Sequence, residues 1–328
     1  MVLFNTMLKS RSNQPPPCLA VVIPCYNEED ILPQTLDVLS TLLSDFIKST
    51  LISDTSYILC VDDGSNDNTW EIINSNAMHS SYVRGLKLSR NYGHQNALLA
   101  GLANVADGEV IVSIDADMQD DPQVIRDMLV AWSNEYDIVY GVRNDRQSDT
   151  VFKRETAKLF YKLMKFMGVD LVPDHADFRL LDRRALDALL EYNERNIFLR
   201  GLVPLVGFLS TNVYYARKSR IAGESKYPLK KMLGLAVQGV TSFSIMPLRI
   251  IAVGGLLIST ASVLAIIYIL FNKINGHVIR GWTSITIAIF FMGGVQMLSL
   301  GIIGEYIGKI YIETKRRPRF HVENKTEI

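Results

Sequence analysis

Cysteine is scarce. The 328 residues contain three, Cys18, Cys25 and Cys60, with no CxxC spacing, which excludes a disulfide framework and a cysteine zinc site and fits a reducing compartment. No GxGxxG follows the first apolar run and no GxxxxGK[ST] occurs anywhere, which disfavours a dinucleotide oxidoreductase and a P-loop NTPase. Net charge is also missing: 34 basic residues meet 34 acidic ones, so the basic excess of a simple nucleic-acid binder is absent. The 48% apolar content rules out general disorder. Residues 1–17 are polar, end in Pro15-Pro16-Pro17 and hold no apolar core long enough for a secretory signal. They read as a loose tail before a domain expected to stay in the cytoplasm.

The neutral total hides an asymmetry. Residues 1–215 carry 19 basic and 29 acidic side chains, whereas 216–328 carry 15 and 5. The second part also holds two long uncharged runs, 23 residues from Ile250 to Asn272 and 24 from Gly281 to Gly304. As helices, each reaches roughly 35 Å, enough for a hydrocarbon core of about 30 Å. Two transmembrane helices are therefore expected at about 249–272 and 281–305, within 247–308. The connector Lys273 to Arg280 makes them a hairpin. Arg217, Lys218, Arg220, Lys226, Lys230, Lys231 and Arg249 precede the first run, and Lys309, Lys315, Arg316, Arg317 and Arg319 follow the second. This bias places both chain ends in the cytoplasm, with 309–328 as a basic tail. Between them and the first domain, residues 228–246 carry Leu229, Met232, Leu233, Ala236, Val240 and Phe243 at helical steps beside Lys230 and Lys231. That pattern reads as an interfacial amphipathic helix, with an ordinary core helix as the alternative.

Residues 18–227 alternate strands and helices. Apolar, β-branched runs at Leu19–Pro24, Tyr57–Val61, Gly85–Leu88, Val110–Ile114 and Asp137–Gly141 are separated by helical patterns at Ile31–Ile47, Thr69–Asn76, Gln95–Val105 and Gln123–Ser133. The expected fold is α/β, a mostly parallel sheet covered by helices on both faces. Ligands of such sheets bind beyond the carboxyl ends of the strands, and there the sequence turns acidic.

Asp115 and Asp117, one residue apart after a buried strand, repel unless a cation offsets them. Hard divalent ions take carboxylate oxygens and leave positions for substrate phosphates, so Mg²⁺ or Mn²⁺ on Asp115, Asp117 and Gln119 is expected. The plainer alternative, capping of the next helix, suits Asp121-Pro122 and leaves Asp120 and Asp121 structural. Asp62-Asp63-Gly64-Ser65-Asn66-Asp67 reads either as an Asx-type turn into a helix or as a place where Asp63 accepts hydrogen bonds from a base or ribose. His94 and His175 show no metal-ligand spacing and read as hydrogen-bonding or loop residues.

PCYNEE at 24–29, VDDGSND at 61–67, LSRNYGHQNAL at 88–98, DADMQDDP at 115–122 and DFRLLDR at 177–183 together resemble family-2 inverting glycosyltransferases. With two carboxyl-terminal apolar runs, the chain resembles the polyprenyl-phosphate branch, which includes bactoprenol glucosyltransferases and dolichol-phosphate-mannose synthases. The resemblance spans about residues 18–320. It implies a GT-A nucleotide-sugar domain in which Pro24, Tyr26, Glu28, Asp63, Asp115, Ala116 and Asp117 bind the nucleotide sugar. Asp115, Asp117 and Gln119 would hold the metal. It further implies a polyprenyl (undecaprenyl) phosphate acceptor, an inner-membrane location in bacteria, and a homo-oligomer. Gly293-Gly294 and Gly301 would permit close helix packing for the last.

A phosphate monoester has a second pKa of about 6, so the acceptor oxygen is largely ionised near neutral pH. The harder step is departure of the nucleoside diphosphate, which a metal and basic side chains assist. Asp177 resembles the position usually proposed as catalytic base. It reads alternatively as a group orienting a hydroxyl or a basic neighbour, or as a salt-bridge partner of Arg179. Arg143, Arg146, Arg154 and Lys158 supply cations for an acceptor phosphate, and the resemblance favours Arg143 and Arg154. Lys158 departs from the small hydroxyl residue of dolichol-phosphate-mannose synthases. Arg220 and Lys226, on a glycine-hinged loop, would touch diphosphate, or else attract anionic lipid. A processive polysaccharide synthase is disfavoured by the absence of QxxRW, and a decayed, non-catalytic membrane scaffold by the intact acidic motifs.

Overall fold

A computed structural model describes residues 11, 14–143, 175–195, 198–216, 244, 246–274 and 281–326. The chain divides into two compact units. The first contains an eight-stranded sheet in the order β7-β5-β6-β4-β1-β2-β3-β8. Its strands are β1 (Leu19–Cys25), β2 (Tyr57–Asp62), β3 (Val83–Leu88), β4 (Val110–Ser113), β5 (Ile138–Arg143), β6 (His175–Asp182), β7 (Ser210–Tyr215) and β8 (Val322–Lys325). Every residue of β1, β2 and β4 is buried. Burial on both faces is why these strands read as continuous apolar runs rather than as alternation.

Helices α1 (Leu32–Lys48), α2 (Thr69–His79), α3 (His94–Ala103) and α4 (Val124–Ser133) connect the first five strands. Leu32, Leu36, Leu39, Leu43 and Phe46 recur along one stripe of α1 and are buried against the sheet, each such side chain contributing about 1.5–3 kcal/mol. The pairs β1·β2, β1·β4 and β2·β3 are parallel. Because β2 and β4 lie on opposite sides of β1, the chain reverses its direction of travel across the sheet there. A crevice opens beyond the carboxyl ends of β1 and β4, the place where open α/β sheets bind ligands. The expected mostly parallel α/β sheet, a GT-A-like arrangement, is what the structure shows.

Three strands were not expected. β6 runs antiparallel between β4 and β5, which carries its first residues past the carboxyl end of β4. β7 lies parallel to β5 at one edge. β8 pairs antiparallel with β3 at the other, assisted by a hydrogen bond from Gly85 N to Thr326 Oγ1 of 2.8 Å. Residues 322–325 are therefore sheet, where the sequence suggests only a basic tail. Helices α5 (Arg183–Leu190) and α6 (Leu199–Leu205) follow β6.

The amino-terminal tail is also not loose at Arg11. Its guanidinium is buried, 2.5 Å from Asp137 Oδ1 and 3.0 Å from Asp182 Oδ2, and donates to the carbonyls of Trp132 and Tyr136. It lies 5.0 Å from the Trp132 ring centroid. With Arg184, which reaches the same two carboxylates at 2.6 and 3.2 Å, Arg11 neutralises the buried Asp137 and Asp182.

The second unit contains α7 (Met246–Ile274, 29 residues) and α8 (Trp282–Lys315, 34 residues). Among the described residues, no helix is long and apolar enough to cross a membrane. The expected interfacial helix at 228–246 lies almost wholly outside the described residues.

Candidate active site

A cavity of about 290 Å³ opens at the carboxyl ends of β1 and β4, lined by Pro24, Glu28, His94, Asp115, Ala116, Asp117, Asp177 and Arg200. Three local arrangements bring these residues together.

The loop after β1 is tied to the loop after β2. Asn27, at φ 53°, receives a hydrogen bond from Asn66 N on its Oδ1 (2.9 Å) and gives its own N–H to Ser65 Oγ (3.0 Å). Glu28 N donates to Thr69 Oγ1, and Glu29 N to Asp67 Oδ2. Asn27, Glu29, Ser65 and Asp67 are thereby structural. Pro24 and Glu28 face the cavity, and Tyr26 is exposed.

Asp63 acts on the next loop. Its carboxylate is buried and accepts Tyr92 N–H at 2.7 Å and Gly93 N–H at 2.9 Å. Burial raises its pKa, opposed by those two bonds. Gly64, at φ +65°, allows this approach, since a Cβ there would lie 2.4 Å from the Arg90 carbonyl carbon. Both oxygens of Asp63, expected to meet a base or ribose, already hold the backbone that starts α3.

From that anchored start, α3 presents His94 and Gln95 to Asp177. His94 Nε2 is 3.1 Å and Gln95 Nε2 3.2 Å from Asp177 Oδ2. Arg179 reaches Asp177 Oδ1 at 2.7 Å, and Arg200 approaches both oxygens at 3.3 Å. The Ser113 hydroxyl donates to the Asp177 carbonyl. The register Ser113↔Arg179 explains the position: Asp177 lies two residues earlier on an antiparallel neighbour, just past the end of β4. Burial alone would raise Asp177, but the His94 hydrogen bond and the charges of Arg200 and Arg179 outweigh it and hold the carboxyl well below its usual range. Both of its oxygens are engaged by these neighbours. Its geometry fits the orienting and salt-bridging roles left open beside the base role.

Asp115 and Asp117 line the same cavity. Burial, and then the charges of Asp177, Asp120 and Asp117, push Asp115 up to about 6 against the opposing charge of His94, whose Nε2 is 3.6 Å away. Asp115 Oδ1 is buried with no hydrogen bond among the described residues, although its side chain as a whole is 31% exposed. His94 itself is held above its ordinary pKa: burial opposes, while the Asp177 hydrogen bond and the Asp115 charge prevail.

Gln119 and Arg143 are placed differently from expectation. Met118 takes a left-handed turn (φ 54°), Gln119 N donates to Asp117 Oδ1, and the Gln119 side chain is buried outside the cavity wall. Arg143 binds the buried Asp120 through Nε and a terminal nitrogen at 3.1 and 2.9 Å, and Tyr215 donates to the same oxygen. The sequence suggests Arg143 as a phosphate contact; the structure gives it a carboxylate partner instead. Asp120 is structural, as expected. Arg154, Arg220 and Lys226, together with Arg146 and Lys158, lie outside the described residues.

Among the described residues, no group of three or more His, Cys, Asp or Glu side chains is arranged to hold a metal ion. Two carboxylates nevertheless suit a divalent cation that shares its remaining positions with water and substrate phosphates. The orphaned Asp115 Oδ1 and the excess of acids over bases in the cavity wall both fit such an ion.

Residues 20–190 match glycosyl transferase family 2, and residues 246–310 match the GtrB C-terminal hairpin. The chain belongs to glycosyl transferase family 2. Its relatives include proteins named bactoprenol glucosyl transferase. It is 38% identical over 309 residues to a prophage bactoprenol glucosyl transferase homolog of Escherichia coli (strain K12), covering 93% of this chain and 98% of that protein. It is 36% identical over 313 residues to the bactoprenol glucosyl transferase of Shigella phage SfV, covering 94% and 99%. It is 48% identical over 311 residues to the uncharacterized glycosyltransferase YkoT of Bacillus subtilis (strain 168), covering 94% and 92%.

Proposed function

We propose that the protein transfers one hexosyl unit, glucose from UDP-glucose, to polyprenyl (undecaprenyl) phosphate by a metal-dependent inverting displacement at the cytoplasmic face of a bacterial inner membrane. The observation that carries this reading is the cavity where Asp115, Asp117, His94 and Arg200 converge beyond β1 and β4. Near full-length similarity to proteins named bactoprenol glucosyl transferase supports the acceptor.

Pro24 and Glu28 form the nucleotide side of the cavity, with Tyr26 exposed nearby to stack on a base and Asp63 holding the adjoining loop. Asp115 and Asp117 would hold Mg²⁺ or Mn²⁺, which when bound offsets the charge growing on the departing diphosphate. His94 and Arg200 bring positive charge to the same wall. The acceptor phosphate, ionised near neutral pH, needs no strong base, which agrees with an Asp177 whose two oxygens are already engaged by His94, Gln95, Arg179 and Arg200.

The membrane part of the reading rests on composition. Leu256 and Phe271 of α7 are 68% and 65% exposed and Ile289 and Leu298 of α8 are 64% and 66% exposed, a density of apolar surface that calls for lipid or partner helices. The basic residues flanking both helices support two spans with cytoplasmic ends, and the glycines of α8 support a homo-oligomer. The test is transfer of labelled sugar by the purified full-length protein. Label from UDP-glucose entering the polyprenyl-phosphate fraction supports the reading. If no nucleotide sugar in a panel with UDP-glucose and GDP-mannose labels that lipid, the reading is wrong.

A further inference from the structure

Arg200 is delivered to the cavity by a dedicated set of bonds. The preceding residue, Leu199, is pinned on both sides of its backbone: its N–H donates to Gln95 Oε1 at 3.1 Å, and its carbonyl accepts from Arg179 at 3.4 Å. Gln95 and Arg179 are the same side chains that bind Asp177. The start of α6 is therefore fixed to the ligand shell of Asp177, and the next side chain, Arg200, lines the cavity with 43% of its surface exposed.

Its two contacts with Asp177 are both 3.3 Å, against 2.7 Å for Arg179. Charge-assisted hydrogen bonds between guanidinium and carboxylate settle at about 2.7–2.9 Å. Arg179, 2% exposed, therefore makes the tight structural pair, and Arg200 is held at the outer limit of bonding by a carboxylate that three other side chains share. Beside His94, the wall carries the acidic Glu28, Asp115 and Asp117.

Building on the proposed transferase reading, we propose that Arg200 is a phosphate-contacting residue of this site, which turns from Asp177 to a phosphate oxyanion of the bound reactants. Asp177 is then the positioning residue that parks the guanidinium. A planar fork that binds carboxylate bidentately also binds phosphate bidentately. The shared chemistry is a phosphate group. It belongs either to the nucleoside diphosphate or to the lipid monoester, and the two are separated by measurement.

The experiment compares wild type, Arg200→Lys and Arg200→Gln as full-length proteins in detergent. UDP binding with Mg²⁺ is measured by calorimetry, and KM and kcat are measured with polyprenyl phosphate as the varied substrate. Arg200→Gln is expected to weaken UDP binding or to raise the lipid-phosphate KM by at least about tenfold, the size of a lost charged contact. Arg200→Lys should fall between it and wild type, since charge is kept and the fork is lost. A change confined to UDP assigns the donor diphosphate, and one confined to KM assigns the lipid. Both parameters within twofold of wild type in the folded Lys and Gln variants overturn the proposal. Should Gln fail to fold, an Arg200→Lys variant indistinguishable from wild type in both overturns it. Failure of wild type itself to bind UDP or transfer sugar overturns the transferase reading rather than the assignment of Arg200.

Discussion

Replacing Asp63 by asparagine exchanges one carboxylate oxygen for an NH₂ group in a buried position where both oxygens accept backbone N–H bonds, from Tyr92 at 2.7 Å and Gly93 at 2.9 Å. One charge-assisted bond, about 1.5–3 kcal/mol, is lost, and the buried N–H left facing another donor costs about 1–3 kcal/mol more. The neutral amide recovers part of this, because burial disfavours the charged Asp63. The lower end, about 2.5 kcal/mol, is therefore the expected loss, which for a domain of this size lowers Tm by about 5–10 °C. The assay is thermal unfolding of the full-length protein in detergent without ligand. Gly64→Ala, which forces a Cβ to within 2.4 Å of the Arg90 carbonyl carbon, should move Tm in the same direction. If Asp63→Asn melts within about 2 °C of wild type and loses only nucleotide binding, Asp63 is a ligand contact and the anchoring of α3 described above is wrong.

Arg11→Ala should destabilise the protein by about 2–3 kcal/mol in denaturant titration, less than the 3–5 of a buried pair broken outright, because Arg184 still reaches Asp137 and Asp182; no loss of stability would return Arg11 to a loose tail. Asp177→Ala should cost about 3–5 kcal/mol, since it strands the buried Arg179, and a variant as stable as wild type would contradict the ion-pair shell. Asp67 has its pKa lowered by its bonds to Thr69 and Glu29, which outweigh burial. Its contribution is thus complete above the ordinary carboxylate pKa of about 3.9 and disappears as pH falls through the lower folded value. Asp67→Ala should lose about 1 kcal/mol at pH 7 and nothing at the acid end, and a pH-independent loss would refute the assignment.

The parts of the fold legible in the sequence are those governed by local pattern. β1, β2 and β4 announce themselves as unbroken apolar runs because both faces are buried, and the acidic stretches at 62–63 and 115–117 mark the strand ends. β6 was not legible because HADFRLLD carries charges whose partners are distant: Asp177 meets His94 across 83 residues, and Asp182 meets Trp132 across 50. β7 is half exposed, and β8, VENK, is fully exposed. The last is a strand only because an edge was available to pair with.

The site divides in the same way. The motifs point to Pro24, Glu28, Asp115, Ala116, Asp117 and Asp177, and these line one cavity. Gln95 and Arg200 were missed, since nothing in QNAL or FLRG indicates that Asp177 lies between them in space. His94 reads from the sequence as a hydrogen-bonding residue, and its partner is Asp177. The charge of Arg143 suggests a phosphate contact, but a buried Asp120 satisfies that charge first.

The most direct measurement is sugar transfer to polyprenyl phosphate by wild type and Asp117→Asn, each with chelator and with Mg²⁺ or Mn²⁺ restored. Labelled lipid that vanishes with chelator, returns with either ion and falls at least about a hundredfold in the variant, the loss expected when a major electrostatic contact to the transition state is removed, is the predicted result. Equal labelling by Asp117→Asn, or labelling indifferent to chelator, would contradict a metal-assisted transferase site at Asp115 and Asp117.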